Sequence, residues 1–394
     1  MKRLSWIAAG LLIAAPVLAS CGTESTEPSG GGGDGAGDAR ALTVDSSDDA
    51  CKVSATEAPA GTVTFYVTNS GSQVTEFYLL AEDGLRIVAE VENIGPSISR
   101  PLTADVPAGK YITACKPGMT GDGIRSDFTV TESDEDVKVS EDEETLVNEA
   151  QTNYAAYVQD QSDQLLVKTR QFVDLYKAGD KDDEARALYA DARTHWERIE
   201  TVAESFGDLD PMMDAREADL EPGQKWTGWH LLEKDLWPAR AEKYAELSPK
   251  DRTFYADDLL KNTETLDSRI QDLTFTVDQI ANGSRGLLEE VATGKVTGEE
   301  EYWSRTDLWD FQANVDGAKV GFDGVKPLLE EKDPELATEL ETRFDELQVL
   351  LDAQRTDDGF RYYDELSPDD IKGLSDAVNA LSEPLSRLTA AVLS

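Results

Sequence analysis

Histidine is almost absent: His195 and His230 are the only two in 394 residues. That excludes a hydrolytic H-E-x-x-H zinc site, and it excludes any two-imidazole centre in the first half of the chain. Cysteine is nearly as scarce, at three, and positive charge is in short supply, with 37 Lys and Arg against 79 Asp and Glu, a formal charge of −42. A surface this acidic repels the phosphates of nucleic acid, which excludes nucleic-acid binding, and it concentrates cations. No segment beyond residue 20 is long and apolar enough to span a bilayer.

What is present begins with an address. Lys2 and Arg3 precede an apolar run over residues 6–19 that is short for a membrane span and has the charge layout of a secretory signal. The run ends in Leu18-Ala19-Ser20-Cys21, which resembles the bacterial lipobox. That resemblance implies lipid on Cys21, a signal peptide over 1–20, and an extracytoplasmic, membrane-anchored protein in the periplasm or its equivalent. Residues 21–41 are Gly, Ser, Asp and Glu with almost nothing to bury, and read as a flexible tether.

Two periodicities follow. Over residues 42–131 apolar positions alternate, as in Val63, Phe65 and Val67, and Gly/Pro turns recur at short intervals. This predicts a small antiparallel β-sandwich. Residues 132–143 form an acidic linker, and 144–394 carry periods of three and four. Leu336, Leu340, Phe344, Leu347 and Leu351 make one stripe, and Val378, Leu381, Leu385 and Leu388 another. With breaks at Gly179, residues 207–211, Gly223, Pro238, Pro249, Gly294, Pro327, Pro334, Gly359 and Pro368, the pattern predicts an all-α bundle of about seven or eight helices. Asp163-Gln164-Leu165 and Asp278-Gln279-Ile280 each look like a helix opening. Acidic aromatic segments follow at 189–200 and 302–314, which suggests a duplicated four-helix unit.

The chemistry gathers in the helical half. In Gly228-Trp229-His230-Leu231-Leu232-Glu233 the imidazole and a carboxylate lie three apart, on one helix face, amid Trp226, Trp229, Leu236 and Trp237. Such a pair is either a neutral core histidine bonded to Glu233 or part of a metal site. Glu197, Glu200 and Glu204 fall at i, i+3 and i+7, with Glu204 read as solvated. Asp214 and Asp310 are set in apolar surroundings downstream. Several carboxylates with one imidazole suit a hard or borderline ion such as iron, manganese or zinc.

These segments, together with Trp196-Glu197-Arg198-Ile199-Glu200, Asp214-Ala215-Arg216, residues 307–317 and Gly359-Phe360-Arg361-Tyr362-Tyr363-Asp364, resemble the imelysin family over about 144–394. The resemblance implies metal contact by Glu197, Glu200, Asp214, His230, Glu233 and Asp310, and does not call for His195. With a β-domain in front, the architecture is similar to the extracytoplasmic components of Efe-type uptake systems. That similarity implies a binding protein that captures iron, with zinc able to take its place, and passes it to a membrane iron permease. A haem peroxidase of the same system is the second implied partner.

Residues 42–131 also resemble a cupredoxin, with Cys115-Lys116-Pro117-Gly118-Met119 where thiolate and later ligands would fall and Glu76 where a first histidine would be. With no histidine in this region a blue-copper centre is excluded. Two readings stay open: a Cys51–Cys115 disulfide, which an exported cysteine pair favours, or a copper or iron site from Cys51, Glu76, Cys115 and Met119. At the level of function, two alternatives stand beside iron capture without enzymatic activity. One is a zinc peptidase of the imelysin type, for which this chain is poorly equipped. The other is a redox module acting on iron before uptake.

Overall fold

The computed structural model describes residues 39–133, 140–220 and 223–394. Cys21, the signal segment and most of the tether lie outside the described residues. Strands make up the N-terminal part, and helices the remainder apart from a small hairpin of Arg355–Thr356 with Gly359–Phe360, in one compact unit from Asp38 to Ser394.

Among the described residues of the N-terminal part nine strands form two sheets. One runs in the order β2 (Cys51–Val53), β1 (Ala41–Ser46), β4 (Gly61–Asn69), β7 (Ser99–Val106). The other runs β3 (Glu57–Pro59), β9 (Ile124–Thr131), β8 (Gly109–Cys115), β5 (Thr75–Ala81), β6 (Ile87–Ile94). Their inner faces share one apolar core in which Val63, Phe65 and Val67 of β4 meet Phe77, Leu79 and Phe128 of the facing sheet. Alternating side chains on β4 thus do what their period of two predicted. The sandwich is not purely antiparallel, however: β1 pairs parallel with β4, and β3 parallel with β9. The chain leaves β1 through the β2 hairpin and crosses to the other sheet as β3 before β4 returns, and such a crossover is what parallel pairing needs.

Seven helices of 16 residues or more follow: α1 (Glu141–Ala178), α2 (Asp182–Glu197), α6 (Pro249–Ile270), α7 (Val277–Thr293), α8 (Asp307–Lys332), α9 (Pro334–Asp352) and α10 (Pro368–Leu385). Four short ones intervene or follow: α3 (Glu200–Glu204), α4 (Asp210–Met213), α5 (Trp229–Leu236) and α11 (Leu388–Val392). Local signals set the ends of the long helices. Ser140, Ser248, Asp333 and Ser367 cap N-termini through their side chains, and Pro249, Pro334 and Pro368 stand in first turns. Pro327 does not end a helix as expected; α8 runs through it to Lys332, because the ring sits on the exposed face near the C-terminus and removes a single intrahelical bond. Nor do the two proposed openings correspond: Asp278 is the second residue of α7, whereas Asp163 lies in the middle of α1. The stripes on α9 and α10 are buried in one helical core. Among the described residues no helix is long and apolar enough to cross a membrane.

The β-part docks on α7 through polar links. Arg100 pairs with Glu289 at 2.8 Å, the Asp105 amide donates to Asp278 at 2.9 Å, and Asn282 donates to the Thr103 carbonyl at 3.0 Å.

Candidate metal site

The helix that opens the site stops early. α2 ends at Glu197, Ile199 leaves the helical region (φ −125°, ψ 18°), and α3 starts at Glu200. Glu197, Glu200 and Glu204 therefore do not ride one continuous helix face, as their spacing had suggested. The break lets Glu197 and Glu200 converge, and the Asn314 amide holds it by donating to the Glu197 carbonyl at 2.7 Å and to Glu200 at 2.8 Å. α8 can approach this closely because Gly317 faces the Arg198 carbonyl, which a Cβ would strike. Gly228 plays the same part for α5. Its φ of 91° and its contact with the Met213 carbonyl leave no room for a side chain. That approach sets His230 beside Asp214. Trp229, packed on Phe172 and Tyr189, fixes the turn of α5 from behind.

All six helical residues picked out from the sequence are buried here; five have donor atoms close enough to others to share an ion, while Asp310 joins them only across Arg193. Two more carboxylates, Glu300 and Glu301, enter from the loop before α8. His230 Nε2 lies 3.3 Å from Glu300 and 3.5 Å from Asp214, and its Nδ1 lies 3.5 Å from Glu233. Three overlapping groups have donor atoms within 4.8 Å of one another: Asp214/His230/Glu300, His230/Glu233/Glu301 and Glu197/Glu200/Asp214/Glu300. Two built-in cations face them. Arg193, one turn before Glu197 on α2, contacts Glu197 and Asp214 and lies 3.0 Å from Glu301. Lys295 lies 2.8 Å from Glu200 and 3.1 Å from Glu197. Seven carboxyl groups thus face the two buried cations Arg193 and Lys295, with Arg216 3.4 Å from Glu300 at the rim, so carboxyl groups outnumber the fixed cations.

Several buried polar atoms have no hydrogen-bond partner: both ring nitrogens of His230, Glu233 Oε2, and both carboxylate oxygens of Asp310. The other Glu233 oxygen is fully engaged by the Trp303 and Ser304 amides at 2.8 and 2.6 Å. Burial shapes the charges. It pushes Glu197 up to about 8, with Glu200 adding to the effect, and pushes Glu200 up to about 7 against the pull of Lys295. Asp310 is raised well above the ordinary carboxylate value by burial and by Glu197 and Glu301. Glu300 is held well below it despite burial, by Lys295 and His230. Burial and Arg193 work against protonation of His230, but the Glu233, Glu300 and Asp214 carboxylates outweigh them and hold it well above the usual imidazole range. Crowded, dehydrated carboxylates with free oxygens and an imidazole are the donor set of a hard or borderline cation. His195, by contrast, is turned away and bonded to Gln161 at 2.9 Å.

The β-part differs. Cys51 and Cys115 are joined in a disulfide between β2 and β8, one strand from each sheet, so the thiolate–carboxylate site expected as the alternative has no thiols to form from. Glu76 is buried and accepts from Tyr78, with Lys116 3.7 Å away, while Met119 is 41% exposed. A cavity of about 620 Å³ separates Glu76 and Lys116 on this side from Asp214 and Glu300 on the other. Glu204, read as solvated, is half-buried there and has donor oxygens close to Glu200 and Glu290.

The family model described as Imelysin matches residues 150–388. This chain belongs to the imelysin family. The match takes in every carboxylate of the cage together with Arg193, His230 and Lys295. Among curated relatives, "Iron uptake system component EfeO" of Escherichia coli O157:H7 is 36% identical over 359 residues, 90% of this chain and 92% of the relative. The proteins of that name from Escherichia coli K12 and Shigella flexneri match with the same identity and coverage. That span exceeds the imelysin match, so the likeness includes part of the strand-rich region.

Sequence reasoning missed Glu300, Glu301, Arg193 and Lys295. Arg193 was within reach, since it sits four residues before Glu197 and so on the same helix face. Glu300, Glu301 and Lys295 belong to a loop with no periodicity, and only the fold brings them in.

Proposed function

We infer that this protein is an extracytoplasmic iron-binding component of an uptake system, capturing one iron ion in the cage around His230. In this reading Cys21 carries lipid that keeps the protein at the membrane, and the ion passes to a membrane permease. The observation that carries the reading is the set of buried, unpartnered donors on Asp310, Glu233 and His230, in a cage where carboxyl groups outnumber fixed cations. Burial without partners is costly, and a cation offsets that cost. The relatives' name, an iron uptake system component, supports iron as the cargo.

The test is competition binding of iron(III) nitrilotriacetate to the full mature chain and to His230→Ala/Glu233→Ala. Two lost ligands at about 1.5–3 kcal/mol each should weaken binding more than about 100-fold with helix content unchanged. Equal affinity in a folded double mutant would refute the site. For the anchor, Cys21→Ser should move the protein to the soluble fraction, and a mutant that still pellets with salt-washed membranes would refute lipidation.

A further inference from the structure

Arg193 is the most unusual group in the cage, because the carboxylates surround it rather than an open space. Its side chain is fully buried and reaches carboxylates from four segments: Glu197 on its own helix, Asp214 after α4, Glu301 and Glu300 from the loop, and Asp310 on α8. Nη2 lies 3.5 Å from Asp214, 3.6 Å from Glu300 and 3.8 Å from Asp310. The last two are too long for hydrogen bonds, and the Asp310 oxygens find no partner elsewhere. The guanidinium therefore donates directly to Glu197 and Asp214 but stands beside Glu300 and Asp310 without satisfying them.

We propose that Arg193 sets the affinity of the site by occupying, through its guanidinium, the position of positive charge that the cargo ion takes. The inference rests on the iron-capture reading above. A metal ion draws its oxygens to about 2.0–2.6 Å, so Asp214, Glu300 and Asp310 cannot close on an ion while Nη2 stands between them. Loading thus moves the guanidinium aside, and its return competes with the ion during release. A carrier must let go of its cargo, and a tethered competing cation lowers affinity without removing a ligand. Lys295 does not share this role, because it holds Glu197 and Glu200 at one edge.

The test compares Arg193→Gln with Arg216→Gln. Arg216 lies 3.4 Å from Glu300 at the rim and is partly exposed, so its loss removes the same charge without emptying the centre. With Zn²⁺ and iron(III) nitrilotriacetate as probes, Arg193→Gln should bind at least ~10-fold tighter than wild type and release more slowly, and Arg216→Gln should shift by less than ~3-fold. Affinity unchanged or weakened in folded Arg193→Gln, or an equal gain in Arg216→Gln, would overturn the proposal. Failure of wild type to bind either probe would instead overturn the iron-capture reading. If Arg193→Gln does not fold, arginine-labelled wild type provides the second measurement. The hindered guanidinium Nη signals of the metal-free protein should collapse to an averaged signal on adding one equivalent of Ga³⁺. Hindered signals that persist in the loaded protein would overturn the proposal.

Discussion

The β-sandwich and the helical bundle each bury a carboxylate-centred polar group, and they resolve it in opposite ways. In the sandwich Glu76 accepts from Tyr78, Lys116 stands beside it, and both nearby cysteines are consumed in a disulfide. In the bundle seven carboxyl groups face the buried cations Arg193 and Lys295, and oxygens of Asp310 and Glu233 stay without partners. A polar group that the fold satisfies contributes to structure. One that it leaves unsatisfied costs stability in the empty protein, and a ligand returns that cost. The difference separates a stapled scaffold from a receptor inside one chain.

Removing the staple should give the largest effect on stability. Cys51 and Cys115 close a loop of 64 residues, and Cys51→Ala/Cys115→Ala should lose about 2–5 kcal/mol from the β-part. Iron binding by the remaining fold should be unchanged at temperatures where the variant is folded. Denaturant unfolding paired with iron titration tests this. A folded variant that loses iron affinity would show that the sandwich is part of the receptor after all, and would break the comparison.

The sequence displayed much of this design, because its signals are local. A spacing of three from His230 to Glu233, and of three from Glu197 to Glu200, keeps each pair close along the chain. The stripes on α9 and α10 likewise follow from a period of 3.6. The parallel pairing of β1 with β4 was illegible, since it depends on where the chain crosses between sheets. So were Glu300 and Glu301, which lie in an aperiodic loop and gain meaning only when α8 and α5 bring that loop under His230. The break at Ile199 was equally hidden. Nothing in Arg198-Ile199 stops a helix by propensity, and the bonds from Asn314, 117 residues away, help hold it.

The pH dependence sharpens the same contrast with a smaller effect. Glu197 and Glu301 are pushed up to about 8 and Glu200 to about 7, by burial first, from an ordinary value of 4.5. A raised carboxyl keeps its proton in the folded chain after the unfolded chain has released it. Its contribution to stability is full below about pH 4.5 and is lost as pH rises through about 7–8. The metal-free protein should therefore melt lower at pH 8 than at pH 5, by on the order of a few degrees. Iron displaces those protons, so the gap between loaded and metal-free melting temperatures should widen over the same range. Calorimetry of both forms across that range decides it, and a metal-free melting temperature that climbs with pH would contradict the assignment.

The two histidines give the finest test, because both are buried and only their partners differ. His230 has neither ring nitrogen satisfied and faces Asp214, Glu233, Glu300 and Glu301. His195 has its Nδ1 engaged by Gln161 at 2.9 Å, and burial, with Arg198 nearby, lowers it to about 4, so it stays neutral at physiological pH. It precedes Glu197 by two residues, a turn of about 200° on an α-helix, which points it away from the cage. His195→Gln should therefore cost about 1 kcal/mol from one lost hydrogen bond and leave iron affinity within about twofold. His230→Gln, with the same change in side chain, should lose most of the binding and keep the fold. Parallel titration and thermal melts of the two variants measure both quantities. Equal losses of iron affinity would mean that partner satisfaction does not distinguish the structural histidine from the one that binds, and the contrast between sandwich and bundle would then have to rest on charge alone.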